Sequence, residues 1–101
     1  MAQAHVQDLS ALGSVESGIR WGLELGLVAD ADLATDEATT LANITTRCAN
    51  VRPDQIPQVL AVKAAVSLGF KLLGATTMIT DSATIFAAID QTWGKGFNPA
   101  I

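Results

Sequence analysis

Apolar and polar positions are most regularly ordered between Ser14 and Ala29, SVESGIRWGLELGLVA. Glycine recurs there every fourth residue, at Gly18, Gly22 and Gly26. Wound as an α-helix, residues four apart share a face, so the three glycines form one shallow groove. Val15, Ile19, Leu23 and Leu27 make an apolar ridge along one side of it, and Trp21 and Leu25 a second ridge on the other. Glu16, Arg20 and Glu24 fall on the back, spaced for i,i+4 ion pairs. The odd positions from Ile19 to Leu27 are also all apolar, an alternation that a half-buried strand would share. Leu and Glu are helix formers, β-branched residues are scarce here, and the charge spacing has meaning only on a helix. Helix is therefore the reading. Three interior glycines cost roughly 3 kcal/mol relative to alanine. That cost is offset where the groove admits another backbone at close range.

The remaining pattern continues in helical period. Residues 2–12 predict a short helix with Val6, Leu9 and Leu12 on one side, ended by Gly13, with Ser14 as N-cap of the next. Thr35 is the expected N-cap of a second helix, with Asp36 and Glu37 in its first turn, where the helix dipole favours acids. Ala38, Leu41, Ile44 and Cys48 line one face of it, Arg47 sits near its C-terminal end, and Asn50 stops it. Arg52-Pro53-Asp54 is a turn, and Pro57 suits the first turn of a helix over Gln55–Leu73. That helix is apolar around most of its circumference (Ile56, Leu60, Val62, Val66, Leu68, Phe70, Leu72, Leu73), with a narrow polar ridge of Lys63, Ser67 and Lys71. Such a helix is central in a bundle or covered by another subunit. Ala61, Ala65 and Gly69 form a second small-residue ridge on it, and Gly74 is its C′ residue. Ala75–Thr80 reads as an extended connector. Asp81 caps a last helix, Ser82 to Trp93, with Ile85, Phe86, Ile89 and Trp93 inward. Gly94 and Gly96 end that helix, leaving 94–101 as an irregular tail. Phe97 and Ile101 are too apolar to favour water and could fill adjacent pockets, with Phe97 the expected anchor if the tail docks on a neighbouring copy. No internal repeat or low-complexity linker is present. The pattern predicts an all-α fold, a single domain over 1–101 built as a compact bundle of four to five helices with Gly/Ala packing ridges.

Composition narrows this further. The 101 residues are 50% hydrophobic, 16% charged and 5% aromatic. Disordered chains are poor in apolar residues and rich in charge, so a folded core is expected, built from Ala, Leu, Val and Ile. The net charge of −4 is unevenly divided. Residues 1–50 carry seven acids and two bases, residues 51–101 three acids and four bases. That asymmetry suits head-to-tail contact between copies. Six dispersed Lys and Arg residues form no basic stripe for phosphates, so nucleic acid is not an expected partner. The longest uncharged runs, 38–46 and 72–80, are nine residues each, short of the ~20 that a spanning helix needs. The first residues have neither the basic start nor the apolar block of a secretory signal. The expected location is the cytoplasm or an assembled particle.

Candidate chemistry adds little. His5, the single histidine, has no acid or cysteine at ligand spacing, so it reads as a solvated side chain. Cys48, the single cysteine, lies on an apolar face and reads as core. Asp30, Asp32, Asp36 and Glu37 resemble the opening of a calcium loop. The positions that would need Gly and Glu hold Thr35 and Leu41, which favours capping and solvation. Asn43-Ile44-Thr45 matches a glycosylation acceptor in a helical, cytoplasmic context that makes it accidental. Gly94-Lys95-Gly96 lacks the spacing of a phosphate-binding loop. No nucleophile–base pair with histidine can be assembled, and no cofactor or metal is called for. The expectation is a non-enzymatic structural or assembly subunit of a homo-oligomer or multi-subunit particle, such as a phage virion. Its interface would draw on Gly18, Trp21, Gly22, Gly26, Ala61, Ala65, Gly69, Trp93, Phe97 and Ile101. The alternative is a small monomeric helical adaptor or ligand-binding module.

Overall fold

The structure, a computed structural model, describes the backbone of residues 2–96 and the side chains of residues 11–92. The described residues form an all-α bundle: α1 (Ala2–Leu25), α2 (Glu37–Arg47), α3 (Ile56–Leu73), α4 (Ala75–Met78) and α5 (Ser82–Gly96). Two 3-10 turns, Asp30–Asp32 and Pro53–Gln55, precede α2 and α3.

The core is aliphatic. Leu12, Val15 and Ile19 of α1 meet Val59, Val62, Ala65 and Val66 of α3, and Ile44, Met78, Ile85 and Ile89 close it from the other helices. α1 packs most extensively on α3 and next on α5. The two small-residue ridges face one another within the chain. A Cβ at Gly18 would run into the Ala65 Cβ, with the Ala61 carbonyl oxygen 3.8 Å away, and a Cβ at Gly22 would come within 2.8 Å of a Val62 methyl. Gly69 lies against Val15 and Met78. The pairing of 15 with 69, 18 with 65 and 22 with 62 runs in opposite senses, so α1 and α3 are antiparallel. Close backbone approach thus offsets the helical glycines as their spacing implied.

Several boundaries differ from the sequence pattern. The expected break at Gly13 and Ser14 is absent, and α1 is one helix of 24 residues. Leu12 and Val15 are buried on either side of the break. Their packing outweighs the ~1 kcal/mol that a helical glycine costs. Gly26 does not extend the groove. It sits past the helix end at φ +75, its N–H bonding the Leu23 carbonyl at 3.2 Å while the Leu27 N–H bonds the Gly22 carbonyl at 2.9 Å. That is the left-handed C-terminal cap that glycine permits without a Cβ clash.

Asp36, not Thr35, caps α2, because its carboxylate accepts the Thr39 N–H at 2.7 Å. The buried Thr40 hydroxyl then accepts the Ala34 N–H and donates to the Asp36 carbonyl, fixing the entry of the chain. The segment after Gly74 is not extended. Gly74 at φ +86 redirects the backbone, and α4 makes one turn that drops Met78 into the core. α5 continues through Gly94 to Gly96, past the expected end at Trp93. The Trp93 side chain, Phe97 and Ile101 lie outside the described residues.

Candidate functional site

α3 is central yet far from fully buried. It buries Val59, Val62, Ala65, Val66 and Gly69 on one side. Its other side leaves Ile56 50%, Leu60 59% and Leu72 36% exposed. On α1, Trp21 is 43% and Leu25 40% exposed. Around α3 the order of side chains is Val62, Ala65, Ala61, Ala64, Leu60 by the helical period. Around α1 it is Gly22, Gly18, Leu25, Trp21. Because Gly22 meets Val62 and Gly18 meets Ala65 near Ala61, the next members of both series fall on the same side of the helix pair. Trp21 and Leu25 therefore share one face with the exposed Ala61 and Ala64, while Leu60, about 160° round the helix from Val62, points away from α1. Exposed apolar side chains of this kind are surface that a protein partner or a membrane could cover.

By length and composition, residues 53–73, with mean hydropathy 1.5, could cross a membrane. The expectation from uncharged run length missed this, because the average tolerates two lysines that interrupt a run. Only 22% of that window is buried, so a core role alone does not account for its apolarity.

A second feature is polar. The turn Asp30–Asp32 places Asp32 against α2, where its carboxylate accepts Arg47 Nε at 2.6 Å, Arg47 Nη2 at 3.2 Å and the Ala29 N–H at 2.9 Å. Asn43 Nδ2 donates to the Asp32 carbonyl at 3.0 Å. The hydrogen bond and the charge of Asp32 hold the Arg47 pKa above its ordinary value. Ala31, Asp32, Asn43, Thr46 and Arg47 line an open cleft of about 400 Å³. Its acid and base neutralise each other, and Thr46 donates its hydroxyl proton to the Ala42 carbonyl. The cleft holds no nucleophile activated by a base; its chemistry is that of a clamp between the turn and α2.

The acids of the calcium-like run are each engaged separately. Asp30 accepts the Ser82 N–H at 3.1 Å, Asp32 holds Arg47, Asp36 caps α2, and Glu37 accepts the Ser67 hydroxyl. Among the described residues no group of three His, Cys, Asp or Glu side chains could hold a metal ion. Cys48 is buried and its thiol donates to the Leu27 carbonyl at 3.1 Å. Burial pushes the thiol pKa up, away from the thiolate that nucleophilic chemistry needs. Arg20 pairs with Glu16 at 2.8 Å and stacks over the Phe86 ring, 4.3 Å from its centre, tying α1 to α5.

Of the interface candidates from the sequence, Trp21 and Ala61 are exposed, whereas Gly22, Ala65 and Gly69 are buried and Gly18 faces Ala65 inside the fold. Gly26 is exposed at the helix end. Leu25, Ile56, Leu60 and Leu72 are exposed large apolar residues outside the interface candidates that the sequence pattern offers. Their signal was present in the width of the apolar arc on α3, wider than one neighbouring helix can cover. No family model, curated protein or solved structure matches the chain.

Proposed function

We propose that this protein is a non-enzymatic assembly subunit that associates with copies of itself through the exposed apolar side of α3. The observation that carries this reading is the exposure of Ile56 and Leu60 on α3, away from its contact with α1, with Trp21 and Leu25 also exposed on α1. Large apolar side chains held in water gain about 25 cal/mol per Å² when a partner covers them, which supplies the driving force for association. Charge also suits a like partner: the exposed Asp54 stands before α3 and the exposed Lys71 in its last turn, with no acid between residues 55 and 80. The finer reading, a building block of a multi-subunit particle such as a virion, rests on the same surface.

The cleft beside Asp32 and Arg47 favours the second reading, a small ligand-binding module. It ranks lower because its charged groups already satisfy one another.

Light scattering on the purified chain over a range of concentrations tests the proposal. The mass should exceed the 10.5 kDa of one chain and rise with concentration. Leu60→Glu should return it to that of a single chain with helicity unchanged. A parent that stays at the single-chain mass throughout would overturn the reading.

A further inference from the structure

We infer that two copies pair through α3 itself, antiparallel, about a two-fold axis passing near Ala64; this rests on the self-association proposed above and specifies its geometry. The exposed strip of α3 runs from Ile56 through Leu60 and Ala64 to Lys71. Ala64 lies at the middle of Ile56–Leu73, and its small side chain lets a second helix approach closely at the crossing.

Charge sets the direction. Asp54 stands just before α3 and Lys71 in its last turn, both exposed. Seventeen residues of helical rise separate them by roughly 25 Å, so they do not meet within one chain. A two-fold at residue 64 brings residue 71 of one copy level with residue 57 of the other, about 4.5 Å along the axis from residue 54. That gap is within the reach of a lysine side chain. Arg52 Nε already bonds Asp54 Oδ1 at 3.1 Å, and the second carboxylate oxygen is left for Lys71 of the other copy. The same operation sets Leu60 against Leu68 and runs the two helix dipoles in opposite senses.

A parallel pairing would set Lys71 against Lys71 and Asp54 against Asp54, with no acid between residues 55 and 80 to compensate. A lipid bilayer would accept Ile56 and Leu60 but would also take up Lys71 from the same strip. The interface is thus self-complementary in one orientation, as an isologous two-fold contact requires.

Sedimentation equilibrium on the full chain tests this with Lys71→Glu, Asp54→Lys and their equimolar mixture. Each variant alone should associate roughly tenfold more weakly than the parent, since two opposite-charge contacts become like-charge ones. The mixture should recover parental association, because only the mixed pair carries opposite charges at both ends. Lys63→Glu, on the edge of α3 beside α2, should change little. Circular dichroism monitors folding, and Lys71→Gln with Asp54→Asn replace any variant that loses helicity; each should still weaken association a few-fold. Variants that dimerise like the parent would overturn the antiparallel pairing while leaving self-association standing. A parent that is monomeric overturns both, and if it also floats with phosphatidylglycerol vesicles, the face belongs to a membrane.

Discussion

Gly18 of α1 and Ala65 of α3 are in such close register that position 18 has no room for a methyl group. The obstructing atom is a Cβ, which cannot rotate away, so relief requires the two helices to separate. Gly18→Ala should therefore lower stability by about 1–3 kcal/mol, the usual cost of overpacking. Urea unfolding followed by circular dichroism measures it. A variant as stable as the parent would show that α1 and α3 are packed more loosely than this contact requires.

Gly26 gives the opposite case. Nothing stands within 4 Å of its Cβ position, but its φ of +75 disfavours any L side chain. Gly26→Ala should cost about 1–2 kcal/mol through the backbone alone. Gly26→Asn should cost less, because asparagine tolerates the left-handed region better. Equal losses for the two substitutions would argue against a left-handed cap.

Met78 and Gly69 should behave as a coupled pair. Met78 is fully buried, and its Sδ and Cε would lie 2.8 and 2.7 Å from a Cβ at Gly69. Met78→Ala should cost about 2–5 kcal/mol as a core truncation. Gly69→Ala should destabilise the parent less than that, because the flexible thioether can shift. In the Met78→Ala background, Gly69→Ala should lose part of its penalty, since the atoms it met are gone. Strict additivity in that cycle would show that α4 does not seat on α3 at Gly69.

Acid should weaken the fold through the helix caps. Asp36 and Asp81 accept the Thr39 and Thr84 N–H groups, each at 2.7 Å, and these bonds hold both carboxyls below their ordinary pKa. A lowered folded-state pKa means stability that is full above the unfolded value and is lost as pH falls through the folded value. Thermal midpoints should hold steady above roughly pH 5 and decline from about pH 4 downward. Asp36→Asn with Asp81→Asn keeps a capping oxygen but removes the titration, so the decline should flatten. An unchanged acid slope in that double variant would assign the acid sensitivity to other carboxylates.

Much of the helical architecture was legible because period and capping chemistry are local. The span of α3, the Gly74 terminus and the inward Ile85 and Ile89 of α5 followed from apolar spacing. So did the closeness that Gly18 and Gly22 permit, which is a property of lacking a Cβ. The end of α1 was misread because Gly26 continues the four-residue period in sequence, whereas φ +75 ends the helix before it.

Other features were decided only by tertiary structure. Whether Gly13 and Ser14 break a helix depends on how much their neighbours gain by burial, and Leu12 and Val15 gain enough. Asp32 with Arg47, fifteen residues apart, and Asp30 with Ser82, fifty-two apart, are joined by chain folding that no spacing rule anticipates. The sequence by itself determined which faces are apolar and where a backbone can approach. Tertiary packing alone decided which of those faces another helix covers. The far side of α3 was left to water because α1, α2 and α4 all pack elsewhere on its circumference, and a helix surface can be covered only where a neighbour is present.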